Sequence, residues 1–169
     1  DGSTDGTSET VRDFTGSFPI RYILKENGGK HTAYNRALEE ARGDWFLCVD
    51  SDDTLTPTAV ADILSAAENL PEKTGIASYK TDLDGKLLGQ SFPDGIRFSQ
   101  MHKLCGEYAY TFPTAWAQQF PFPVFPGERF MSECVVYDRM DQQGQMLLLS
   151  KETMPCEYQP DGYSQTINS

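Results

Sequence analysis

The chain has 169 residues, enough for one α/β domain with a core of its own. Its 14 basic and 25 acidic residues leave a net charge of -11, which excludes a phosphate backbone or an anionic membrane surface as an electrostatic partner. No apolar run approaches the roughly 20 residues of a membrane span, and no secretory leader stands at Asp1.

In chain order, a turn-forming run from Asp1 to Thr7 leads into a short helical pattern through Val11 and Phe14. Ile20–Leu24 reads as a strand. Asn27-Gly28-Gly29-Lys30 opens a helix with Ala33, Ala37, Leu38 and Ala41 on one face, His31 exposed and Gly43 as C-terminal glycine. Trp45–Val49 is five apolar residues, too short for a typical helix, and reads as a fully buried strand. Thr56-Pro57 begins a helix with Val60, Ile63, Leu64 and Ala67 as its buried stripe. Gly75–Tyr79 is the next strand, and Asp84-Gly85 is a hairpin turn leading to Leu87-Leu88. Trp116, Phe120, Phe122 and Phe125, interleaved with prolines, read as packing for an irregular loop. Ser132 caps a helix whose apolar face is Cys134, Val135 and Met140. Met146–Leu149 and Met154–Tyr158 close the sheet, and residues 160–169 form a mobile tail to a single domain over 1–169.

The chemistry concentrates at Asp50-Ser51-Asp52-Asp53, where a strand leaves the core. Ligands bind at the carboxyl ends of strands in open α/β sheets, and carboxylates gathered there suit Mg²⁺ or Mn²⁺. An EF-hand reading fails, because Leu55 and Ala61 occupy the places where such a loop needs Gly and Glu. Asp50-Ser51-Asp52-Asp53-Thr54 also fits the aspartyl-phosphate motif of haloacid dehalogenase-like phosphatases, with Asp50 as nucleophile. Those enzymes carry that motif near the start of the domain, and no later acidic pair completes their metal site here. The four cysteines are scattered without a C-x-x-C pair, which argues against structural zinc and fits reduced thiols in the cytoplasm.

Three blocks in order, D-G-S-T-D-G-T from Asp1, N-G-G-K-x-x-A-x-N-x-A from Asn27 and L-x-V-D-S-D-D from Leu47, resemble the family-2 glycosyltransferases. The likeness is looser beyond them, through Gly106-Glu107, Phe120–Pro123 and Glu128–Glu133. It implies an α/β, Rossmann-like mixed sheet of the GT-A (nucleotide-diphospho-sugar transferase) type. Because Asp1 falls inside a motif that members reach only after a β-α-β unit, it also implies an N-terminally truncated domain. A sheet so shortened has a bare edge for self-association.

By the same resemblance, Asp50 and Asp52 hold Mn²⁺ or Mg²⁺ and the donor, with Asp53 as a further contributor. Asp1 meets nucleobase and ribose, and Lys30 and Asn35 approach the nucleotide. The general base of an inverting transfer lies late in the domain, in an E-D pair near a helix start. Here only the first acid is present, Glu133, with Asp138 and Glu128 as alternatives. The implied reaction carries a sugar from a nucleotide-sugar, UDP-linked, to a glycan, lipid-linked or polysaccharide acceptor, in the cytoplasm or at its membrane face. The missing second acid keeps open a non-catalytic domain of the same fold.

Overall fold

The computed structural model describes residues 1–95, 97–98 and 103–157. In chain order the elements are α1 (Thr7–Arg12), α2 (Lys30–Glu40), β1 (Trp45–Leu47), α3 (Ala59–Ala67) and β2 (Thr74–Thr81). After them come β3 (Arg97–Phe98), β4 (Tyr108–Pro113), α4 (Thr114–Ala117), α5 (Cys134–Asp141) and β5 (Gln145–Pro155). They build a mixed five-stranded sheet in the order β1-β4-β2-β5-β3, with β2 and β5 parallel and the other pairs antiparallel.

β2 holds the centre, and its sequence explains why. Seven of its eight residues are buried, which suits a strand covered on both faces. A Cβ at Gly75 would sit 2.8 Å from Phe112 Cδ1 and 2.7 Å from Met146 Sδ, so a larger residue there would have to displace the core side chains packed on it. Its polar Ser78 is satisfied internally, 2.6 Å from Thr153 Oγ1 and donating to Ala109 O. The period of two then divides the core. Ala77, Tyr79, Met146 and Leu148 face Tyr34, Leu38, Trp116, Val136 and Met140, while Ile76 and Leu149 face Ile63. Helices α2, α4 and α5 thus cover one face and α3 the other.

Several expected elements take a different form. Ile20–Leu24 forms no strand: no described strand runs beside it, and Ile20 and Leu24 stay exposed. β1 is only three residues long and sits at the sheet edge, half-buried rather than fully buried. The inner face of α2 is His31, Tyr34 and Leu38, so His31 is buried (2 % exposed) and Ala37 is exposed. That helix ends at Glu40 with an extended Ala41, two residues before Gly43.

The next helix begins at Ala59 rather than Pro57, and the Thr56 hydroxyl donates to Glu152 O across the chain instead of capping. Its buried residues are Ala59 and Ile63, whereas Val60 and Leu64 lie outside. In α5 the buried residues are Val136 and Met140, with Cys134 and Val135 exposed. The two expected closing strands are one strand, β5, with register shifts opposite Tyr79 that let polar Ser150, Lys151 and Glu152 interrupt the apolar run. Tyr158 and the expected tail at 160–169 lie outside the described residues.

Other expectations hold. The hairpin turn forms, with Gly85 at positive φ, Asp82 N donating to Lys86 O and an antiparallel bridge from Thr81 to Leu87. Trp116, Phe120 and Phe122 are core residues, while Phe125 is exposed.

Candidate active site

Three chain segments meet beyond the end of β1: the start of α2, the acidic loop after β1, and the start of α5. The acidic loop is not free. An antiparallel bridge joins Asp53 to Cys156, Thr54 N donates to Pro155 O and Thr56 N to Thr153 O, each 3.0 Å long for the two hydrogen bonds. Glu157 N also points at Asp52 O. The loop therefore continues along β5 as an extra half-strand. Asp53 turns inward and pairs with Lys80 of β2 at 2.8 Å, its side chain only 6 % exposed. Lys80 sits above its ordinary value: burial opposes the charge, and the hydrogen bond and field of Asp53 outweigh it.

Asp50 and Asp52 do not share that inward anchor. Asp52 is exposed, and its carboxylate has no described partner. Asp50 Oδ2 accepts from Lys30 Nζ at 2.7 Å. The same ammonium lies 3.0 Å from Glu133 Oε1, across 103 residues of sequence. Lys30 is held above the ordinary lysine range: partial desolvation opposes its charge, and Glu133 and Asp50 together outweigh it. Glu133 occupies the N-cap position of α5, half-exposed.

The root of Lys30 is fixed by the glycine before it. Gly29 has φ +89°, and a Cβ there would overlap the Arg129 carbonyl oxygen, so two loops touch backbone to backbone. Asp1 secures the same turn: Oδ2 accepts from Gly29 N at 2.9 Å, and Oδ1 accepts from Lys25 Nζ at 2.6 Å. Lys25 Nζ reaches Thr32 Oγ1 as well, at 2.8 Å. Sequence reasoning passed over Lys25 and Lys80, since a lone lysine carries no spacing signal. Each is recognisable only by the acid it meets.

The other expected residues lie apart from this junction. Asn35 clasps the backbone of Phe122, donating to its carbonyl at 2.9 Å and accepting from its N–H at 2.8 Å. Glu128 Oε1 accepts from Phe130 N within its own loop. Asp138 is exposed on α5, and five residues beyond Glu133 place it about 140° around the helix. Burial pushes the Cys48 thiol up to about 11 and the Cys156 thiol to about 12, so neither is a nucleophile at neutral pH.

Among the described residues no group of three or more His, Cys, Asp or Glu side chains is arranged to hold a metal.

The sequence profile of glycosyl transferase family 2 matches residues 1–122. The chain belongs to that family. Chondroitin synthase from Pasteurella multocida (strain Pm70) is 38 % identical over 104 residues, covering 57 % of this chain and 11 % of the synthase. Hyaluronan synthase from Pasteurella multocida is likewise 38 % identical over 104 residues, covering 57 % of the chain and 10 % of that protein. The family-2 chain thus spans about a tenth of the length of these curated relatives. Among solved structures, S. aureus TarS 1-349 in complex with UDP-GlcNAc superposes with a TM-score of 0.69 at 18 % identity. The superposition covers 97 % of this chain and 49 % of that one, and shows the expected GT-A fold. No helix among the described residues is long and apolar enough to cross a membrane.

Proposed function

We infer that the chain supplies the donor-binding and catalytic core of an inverting glycosyltransferase that uses a nucleotide-diphospho-sugar, UDP-linked, and a divalent metal. The observation that carries this reading is the convergence of Asp50 and Glu133 on one ammonium, in a chain whose family is established. An inverting transfer needs a diphosphate-facing acid and an acceptor-facing base close together, and Asp50 and Glu133, 83 residues apart in the sequence, meet on the same ammonium.

Asp50 and Asp52 would hold Mn²⁺ or Mg²⁺, which as a Lewis acid offsets charge on the departing nucleoside diphosphate. The turn at Asn27–Gly29, fastened by Asp1, forms the floor on which the nucleotide lies. Glu133 takes the proton of the acceptor hydroxyl as the acceptor oxygen bonds to the anomeric carbon and the bond to the diphosphate breaks. Asn35 and Asp53, by their partners, support this arrangement from behind. The acceptor is a growing polysaccharide, a lipid-linked glycan or another glycan, and the placement in family 2 sets aside the phosphatase alternative.

Calorimetry of UDP with and without Mn²⁺ tests the reading. The wild-type chain is expected to bind UDP in a Mn²⁺-dependent manner, and Asp52→Ala to lose that dependence while melting at a similar temperature. Equal Mn²⁺-dependent affinity in the mutant would remove Asp52 from the site.

A further inference from the structure

Lys30 is the one described cation that touches both carboxylates assigned to opposite halves of the reaction. Its ammonium is 2.7 Å from Asp50 Oδ2 and 3.0 Å from Glu133 Oε1. Its root follows Gly29, which packs closely on the Arg129 carbonyl and donates to Asp1 Oδ2. Its side chain is nevertheless 54 % exposed, with Asp50 at 32 % and Glu133 at 44 %, so the pairs lie on the open side of the site. The tip can therefore exchange partners while the backbone stays in place. Asp50 and Glu133 bring two negative charges to this junction against the single charge of Lys30.

We propose that Lys30 is an ionic latch that fills the place of the cation until donor arrives. In the donor-free protein its ammonium occupies Asp50 and ties it to Glu133. The metal ion must then compete with a resident positive charge for Asp50, so the ion alone binds weakly. A nucleotide diphosphate gives the ammonium a better partner, since lysine grips phosphate as a compact point charge on a flexible stem. As Lys30 moves to the phosphates, Asp50 opens to the ion and Glu133 opens to the acceptor hydroxyl. The same movement couples the two ligands: each relieves the competition that the other faces, and such coupling is reciprocal. Lys30 is thereby a positioning residue acting through Asp50 and Glu133, and it keeps the base occupied while the donor site is empty. This inference rests on the glycosyltransferase reading above.

The test is calorimetry on the full chain with MnCl₂ alone, UDP alone and each in the presence of the other, for wild type, Lys30→Met and Lys30→Arg. Removing a unit charge from the cation's doorstep should tighten Mn²⁺ binding without nucleotide by about tenfold or more. The factor by which UDP improves Mn²⁺ binding should shrink toward unity in Lys30→Met. Lys30→Arg, which keeps the charge, should behave as wild type in both respects, and this rescue separates the latch from loss of folding. Thermal melts of all three report whether each is folded. Mn²⁺ binding in Lys30→Met no tighter than in wild type, or an undiminished coupling factor, would overturn the latch. If wild type still shows Mn²⁺-dependent UDP binding in that event, the functional reading stands and only the latch falls. If wild type shows none, both fall.

Discussion

Asp53→Ala is expected to destabilise the protein far more than its place in an acidic surface motif suggests. The side chain is 6 % exposed and its partner Lys80 14 % exposed, with 2.8 Å between them. Removing the acid leaves an ammonium in a nearly closed site with no counter-charge, and breaking such a pair costs about 3–5 kcal/mol. The remaining exposure of Lys80 favours the lower end, about 3 kcal/mol, which for a chain of this size lowers the melting temperature by about 6–12 °C. Urea and thermal unfolding measure it directly. The double variant Asp53→Ala/Lys80→Met should recover most of the loss, because an apolar replacement of a buried pair is often neutral.

Alkaline pH offers an independent check. Lys80 is raised above the ordinary 10.5 in the folded state, so its contribution is complete below that value and fades as pH climbs through the folded value. Wild type should therefore lose stability above about pH 10.5, and the double variant should lose less. A single variant within about 1 kcal/mol of wild type, or a double variant as unstable as the single, would refute the reasoning. Retained Mn²⁺-dependent UDP binding in the double variant would further show that Asp53 anchors the loop and does not ligate the ion.

Glu133→Gln should lower turnover by about 10²- to 10⁴-fold with donor affinity nearly unchanged, as kinetics beside calorimetry would show. Near-normal turnover would move the base elsewhere. Gly29→Ala should sharply weaken UDP binding, since the new methyl meets the Arg129 carbonyl at a φ that alanine resists; unchanged affinity would show that the turn does not bear on the donor. Asn35→Ala should cost about 1–3 kcal/mol in urea unfolding, by stripping both hydrogen bonds from the Phe122 backbone. If it instead left stability intact and abolished UDP binding, Asn35 would be a nucleotide contact.

The fold was legible where a pattern is local. Gly75–Tyr79 read as a strand and lies inside β2, and the Asp84-Gly85 turn announced itself by its dipeptide. Faces of helices were less legible. α3 carries Val60 and Leu64 outward and Ala59 inward, and both stripes have helical spacing, so periodicity alone does not say which side the sheet occupies. Ile20–Leu24 has the composition of a strand without a described strand beside it, and composition does not supply a neighbour. β5 reads as two strands because Ser150, Lys151 and Glu152 break its apolar run, yet a bulge carries the ladder through them.

The site followed the same division, and the division explains what the acidic motif conceals. Asp50, Asp52 and Asp53 are chemically alike and nearly adjacent, so sequence assigns all three to one ion. What separates them is the partner each meets: solvent for Asp52, Lys30 for Asp50, Lys80 for Asp53. Those partners lie on different elements, and nothing in the spacing of the acids specifies them. The loop needs one acid turned inward so that the other two are held outward at a fixed place. An acidic loop without such an anchor would pay for its own repulsion by moving away from the strand end. Here Lys80 and the backbone of β5 hold it to the sheet, which leaves Asp50 within reach of the same ammonium as Glu133.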